Sequence, residues 1–288
     1  MRFTAVHRAL RILHRQEKRT WSICFGNEVN AAAMDALRQR YREAGLAPPS
    51  YTAMVVKAIA LGIDSLRGRF PELNSTFCGL PGFRWIHVFD DLSAGVAISR
   101  DGAEDQDLVY FSVYQSPQRQ RLSDMSRQLR DEATRPVQEV ATLREAERVL
   151  TLPPLVQNLI LGLGAMIPRA RQRFRGTFAL TSVGKFGVDY QFTLPQTACL
   201  HFGFGSIRER PVVADGRVTV ARTFCLTVSF DRRLMNGRPP AALMGRIREI
   251  LETAAFEEDM PEAAAEADQG QTPAKQATAP EHRERQRA

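Results

Sequence analysis

The sequence predicts an α+β fold, on three observations. Segments with good helix propensity and recognisable caps lie early in the chain, strand-like runs dominate from about residue 175, and a polar loop over 231–237 leads from an apolar strand into a Pro-led helix. No Pro/Ala-rich hinge and no internal repeat divides the chain, so residues 1–256 read as one folded unit with a divergent N-terminal extension. Residues 257–288 are polar, lack a sustained apolar face and read as a disordered tail.

Residues 31–44 combine alanines, leucine and long polar side chains, with Asn30 placed to cap the exposed amides and Gly45 with Pro48-Pro49 to stop the helix. A second helix is predicted from about Thr52 to Leu66, with Met54, Ala58 and Leu61 on one face and Val55, Ile59 and Ile63 widening it. Residues 84–89 and 94–99 read as short strands separated by a turn at Asp90-Asp91. Residues 118–149 are helix-compatible, with Leu122, Met125, Leu129 and Ala133 as the apolar stripe and Pro136 as a break. Strands are then predicted over 175–182 and 197–204, and as one or two segments over 218–230, with Asp215-Gly216 as a hairpin turn. Pro239-Pro240 starts a helix reaching Glu252.

Composition bounds the function classes. With 288 residues and 44% hydrophobic side chains the chain can bury a substantial core, and a formal net charge of +7 favours anionic partners at long range. The basic residues are scattered among acids and no aromatic-basic recognition module is present, so nucleic-acid binding is not expected. Cys24, Cys78, Cys199 and Cys225 show no metal-ligand spacing and read as reduced core cysteines; no metal is expected. Arg8, Arg11, Arg15, Lys18 and Arg19 interrupt the first twenty positions, which argues against a signal sequence and for a cytoplasmic protein. The apolar run 155–167 has 13 residues, short of the roughly 20 that span a bilayer, and reads as a buried or subunit-facing helix. Arg169, Arg171, Arg173 and Arg175 follow it, which keeps peripheral contact with an anionic membrane as the alternative.

The chemistry-bearing segments are Ser50–Ala60 followed by Phe70-Pro71-Glu72-Leu73-Asn74, Gly176–Gly187, Pro195-Gln196, Gly205–Val213, and the loop Asp231-Arg232-Arg233-Leu234-Met235-Asn236-Gly237. In this order they resemble the catalytic domain of 2-oxoacid dehydrogenase acyltransferases, the E2 components, whose signature is Asp-His-Arg-x-x-Asp-Gly. The resemblance covers roughly residues 28–256. It implies a chloramphenicol-acetyltransferase-like sandwich, the coenzyme-A-dependent acyltransferase fold, with active sites formed between subunits of a trimer or of multiples of trimers. It also implies a channel by which a pantetheine or dihydrolipoyl thiol reaches an acyl acceptor. Without room for lipoyl and peripheral-subunit-binding modules, a stand-alone relative is expected, using coenzyme A or a phosphopantetheine-bearing carrier.

In the family mechanism the motif histidine takes a proton from the attacking thiol or hydroxyl, and a serine hydroxyl stabilises the oxyanion. Thr181 stands at the serine position and Ser182 where the pattern has asparagine; Arg232 stands at the histidine and Asn236 at the second aspartate. A guanidinium with a pKa above roughly 12 is a poor proton acceptor but a good partner for carboxylate, phosphate or oxyanion. Thr181, Arg232 and Asn236 are therefore the candidate site residues: an oxyanion contact, an anion-binding group and a loop-holding group. Arg233 is expected to fix the loop, Asp231 to pair with a cation or cap amides, and Gly237 to permit the turn. His201 is read first as a structural histidine and second as a replacement base. Two functions remain open at this point. One is an atypical acyltransferase-related protein that binds an acyl-CoA or acyl-carrier thioester, in specialised metabolism; the other is a noncatalytic trimeric scaffold or regulator, a pseudoenzyme that contacts an acyl carrier protein or a biosynthetic enzyme.

Overall fold

The computed structural model describes residues 22–80, 83–100, 108–136, 167–193, 198–214 and 216–256, with scattered positions between 139 and 160. The polar tail, the N-terminal histidines His7 and His14, the Pro195-Gln196 match and Asp215 of the hairpin turn lie outside the described residues.

Strand β1 (Ser22–Asn30) leads into α1 (Ala32–Glu43) and α2 (Tyr51–Leu66), then a 3-10 turn (Pro71–Asn74). Four strands follow, β2 (Ser75–Leu80), β3 (Phe83–Val88), β4 (Ser93–Arg100) and β5 (Leu108–Gln115). Beyond α3 (Leu122–Thr134) and α4 (Pro168–Arg175) come β6 (Phe178–Ser182), β7 (Leu200–Phe204), β8 (Arg208–Ala214), β9 (Arg217–Asp231) and α5 (Arg238–Thr253). The main sheet has seven strands in the order β1-β9-β7-β6-β4-β5, with β8 paired to β9 off that path. β4, β6 and β7 run parallel and the other pairings are antiparallel, so crossovers must pass over the sheet faces.

The caps act as the sequence indicates. Asn30 Oδ1 accepts the Ala32 amide at 2.9 Å, and Ser50 Oγ accepts that of Ala53 at 3.1 Å, each satisfying one of the donors a helix start leaves orphaned. α2 is buried on nearly every side, in keeping with its almost unbroken apolar run. It crosses α5 closely, because a Cβ at Gly62 would sit 3.0 Å from Leu243 and 3.1 Å from Ile247. Leu243, Ile247 and Leu251 of α5 are fully buried against it; each such side chain contributes roughly 1.5–3 kcal/mol by leaving water. Phe178, Leu200, Phe202, Val228 and Phe230 supply the sheet's side of this core.

The strands expected on either side of Asp90-Asp91 are present as β3 and β4, and they join different sheets: β3 pairs with β2 in a separate two-stranded sheet, whereas β4 pairs with β5 and β6. Other expectations change. Arg175 belongs to a helix, and the strand starts only at Phe178. The break is Gly176, at φ +82°, where a Cβ would lie 2.4 Å from the Gly95 nitrogen. α3 buries Leu122, Met125 and Leu129 as predicted, but Glu132 takes the place expected for Ala133, because Tyr114 donates to its carboxylate at 2.9 Å. The 218–230 run is a single strand of 15 residues, paired along its first half with β8.

Candidate functional site

β9 delivers the loop. Asp231 ends the strand, with its amide donating to the Cys199 carbonyl at 3.2 Å and its side chain 7% exposed. A carboxylate at this depth needs partners, and Arg233 supplies them by folding back on it. The Arg233 amide donates to Asp231 Oδ1 at 3.0 Å, Nε donates to Oδ1 at 2.9 Å, and Nη2 donates to Oδ2. This forked pairing raises the Arg233 guanidinium further above its ordinary range. The same guanidinium lies 5.1 Å from the centre of the Phe77 ring, joining the loop to β2.

The turn is closed by the Leu234 amide donating to the Asp231 carbonyl at 3.0 Å, while Met235 packs into the core. Asn236 Oδ1 accepts the Arg238 amide at 3.1 Å and so caps the entry to α5, whose next residues are the buried prolines Pro239 and Pro240. Arg232 is exposed on the outside of this turn. The loop is thus a rigid mount for one outward guanidinium.

Behind the mount lies a cluster that the sequence did not reveal. Arg171 Nη1 donates to the Phe77 carbonyl at 2.7 Å, and the Arg171 side chain hydrogen-bonds the Cys78 thiol. Burial pulls the Arg171 guanidinium below its usual range, opposed by its contacts with Cys78 and Cys199. Burial pushes the Cys78 thiol up, with Arg171 opposing it, and the Cys199 thiol up to about 12. Both thiols are therefore protonated near neutrality and are poor nucleophiles.

Thr181 is half-buried near the end of β6. It pairs with Gly203, which pairs with Thr227 across β9. Arg232 lies beyond the far end of that antiparallel strand. With about 3.3 Å per residue along a strand and about 4.8 Å between strands, Thr181 and Arg232 are on the order of 19 Å apart in one chain. The structure joins Arg232 and Asn236 in one loop and leaves Thr181 at the opposite end of the sheet.

His201 is buried in β7 beside Ser229, and its Nε2 accepts the Ala198 amide at 3.4 Å. Burial lowers its pKa to about 4, so the ring is neutral with that lone pair engaged, an arrangement that favours structure over proton abstraction. His87, on β3, packs edge-on against Phe89 with ring centres 5.0 Å apart.

Residues 169–257 match the family described as 2-oxoacid dehydrogenases acyltransferase (catalytic domain), a span that includes the loop, Thr181 and Arg171. Over that C-terminal stretch the chain is similar to this family's catalytic domain. It is 24% identical over 234 residues to the dihydrolipoyllysine-residue succinyltransferase component of the 2-oxoglutarate dehydrogenase complex of Escherichia coli K12, covering 78% of this chain and 47% of that protein. A probable dihydrolipoamide acetyltransferase from Listeria monocytogenes superimposes with a TM-score of 0.65 at 20% identity, covering 91% of this chain and 97% of that one. The dihydrolipoamide acetyltransferase of Azotobacter vinelandii does so with a TM-score of 0.59 at 16% identity, over 88% and 90%. The matched stretches span less than half the length of the curated relatives. The fold expected from the family resemblance, the α+β acyltransferase core, is the fold found.

Proposed function

We propose that this acyltransferase relative binds an acyl thioester, presented on coenzyme A or on a carrier's phosphopantetheine, at a site built between copies of the chain. The carrying observation is the separation of Thr181 from Arg232 by the width and length of the sheet, while the loop that bears Arg232 is tied down by Asp231, Arg233 and Asn236. Two rigid half-sites at opposite ends of one chain form a complete site when a neighbouring copy brings its other end alongside, as in a trimer.

In this reading Arg232 binds an anionic group of the substrate, a phosphate or a carboxylate, for which an exposed guanidinium on a fixed turn is well suited. Thr181 donates its hydroxyl to the thioester carbonyl oxygen. Asn236 holds the loop. The solved Azotobacter vinelandii protein bears on this assignment, because the residues investigated there for a catalytic role are a serine, a histidine and an asparagine four positions beyond that histidine. Asn236 stands four positions beyond Arg232, so an asparagine at this spacing has a precedent and residue 232 is the departure that matters. An arginine there removes the proton acceptor, and acyl transfer then depends on an acceptor that attacks already deprotonated.

Mass spectrometry of the purified chain with diverse acyl thioesters and with thiol, amine and alcohol acceptors tests the reading. Binding that is lost in Arg232→Ala supports it; no binding and no acyl transfer across the panel overturns it. The second reading, a noncatalytic scaffold or regulator, is favoured by the guanidinium at position 232. A stoichiometric partner that co-purifies without any thioester binding would select it.

A further inference from the structure

A second surface carries a different chemistry. From Arg148 to Val188 the chain holds Arg148, Arg169, Arg171, Arg173, Arg175 and Lys185 and not one aspartate or glutamate, although acids make up 32 residues overall. Within this stretch Leu155 is 83% exposed and Leu159 60% exposed, with Val156 and Ile160 beside them also open to solvent. On α4, Phe174 is 59% exposed and Arg173 lies over its ring at 5.9 Å, while Arg169 is exposed one turn earlier and Ile167 is exposed at the helix start. No described ion pair engages Arg169 or Arg173. Arg171 turns inward to the Phe77 carbonyl, so α4 divides its arginines between an internal anchor and an outward basic face.

We propose that the outward face of Leu155–Ile160 and α4 rests on an anionic phospholipid surface. Exposed aliphatic side chains cost free energy in water and gain it in the acyl boundary, while arginines without competing acids draw the face towards anionic headgroups. Seven chain steps separate Ile160 from Ile167, so those two residues lie within about 25 Å of one another, a span that one bilayer footprint can cover. Charge decides against the other occupants. Two copies of this face would bring like charges together, whereas an anionic headgroup layer complements both its arginines and its aliphatic side chains. The attachment is peripheral, since no helix among the described residues is long and apolar enough to cross a membrane.

Co-sedimentation of the full chain with vesicles of phosphatidylcholine alone, or of phosphatidylcholine with phosphatidylglycerol, tests this. The expected result is binding to the anionic vesicles only, falling as salt is raised. Arg169→Glu and Arg173→Glu should each weaken it by about fivefold or more, and Leu155→Glu with Leu159→Glu by about tenfold or more. All four positions are exposed, and the arginine variants probe the face without touching its apolar part. Equal binding to both vesicle types, no binding, or binding unchanged by either pair of variants overturns the proposal. Dissociation of the oligomer by Leu155→Glu would reassign the face to a second copy, and capture of an acidic acyl carrier protein without vesicle binding would reassign it to that protein; either result overturns it.

Discussion

The two ends of the main sheet are built differently. At the motif end, Asp231, Arg233 and Asn236 spend their polar groups on one another and on backbone amides, and the exposed Arg232 has no described partner. At the Thr181 end, Phe186, Val188, Tyr190 and Phe192 are exposed in a row of alternating positions that follows β6, and the loop is held by backbone packing. A Cβ at Gly205 would come within 1.9 Å of the Asp189 carbonyl, so that segment lies directly on the end of β7. One end satisfies its polar groups within the chain and presents basic side chains, whereas the other leaves an apolar surface uncovered. Under the proposed function, the polar mount of one copy and the apolar socket of a neighbouring copy become the two halves of one interface.

The largest effect is expected at the motif end. Arg233→Ala leaves a buried carboxylate without its fork and should destabilise the fold by about 3 kcal/mol, the lower part of the range for broken buried pairs because Arg233 keeps about a third of its side chain in water. Urea unfolding measures this. Arg233→Lys keeps the charge but loses the two-pronged geometry, and should fall between the variant and the parent.

Next comes His201, on the strand that joins the two ends. Its folded pKa of about 4 lies below the ordinary 6.5, so the unfolded chain takes up the proton first as the pH falls. The stability that its neutral burial contributes is complete above pH 6.5 and is lost between about pH 6.5 and pH 4, on the order of 3 kcal/mol over that window. Unfolding midpoints at pH 7, 6, 5 and 4 should show this slope in the parent chain and a flatter one in His201→Gln. If His201 were instead the base for acyl transfer, that variant would abolish turnover above pH 6.5, where its stability matches the parent's.

At the apolar end, Gly205→Ala should cost about 2 kcal/mol by pushing the Asp189 segment off β7. If copies of the chain meet at this end as proposed, the variant should also shift the protein to smaller species in light scattering.

How far the sequence made this legible depends on the range of the signal. α1, α2 and α5 could be read because caps, prolines and 3.6-residue periodicity are local. β1 could not, since Ser22–Asn30 mixes glycine, glutamate and asparagine and gains its strand character only by pairing along all nine residues of β9's end. The strands on either side of Asp90-Asp91 could be read, but not that they join different sheets, because partner choice between strands is a tertiary property. At the site, the loop, and the arginine standing where the family resemblance would place a histidine, were visible in one line of sequence. The Arg171, Cys78 and Cys199 cluster behind it comes from three distant elements with no shared spacing and left no mark. The distance between Thr181 and Arg232 needed the sheet order, because alignment to a motif gives identities without geometry.

The smallest effect on stability should carry the most information about the comparison. Arg232→Ala removes an exposed side chain and should change unfolding free energy by no more than about 0.5 kcal/mol. Thr181→Val, at a half-buried strand position, should cost no more than about 1 kcal/mol. Each should nevertheless weaken thioester binding about tenfold or more, as expected for loss of a hydrogen bond to a charged or polarised group. If the two ends meet only between copies, mixing the variants before assembly restores some intact sites, each combining Thr181 from an Arg232→Ala chain with Arg232 from a Thr181→Val chain. Random assembly of equal amounts should recover about a quarter of the parental sites, because each site takes one half from each of two chains. If the two residues served one site within a single chain, every site in the mixture would carry one defect or the other, and titration with a thioester would recover none.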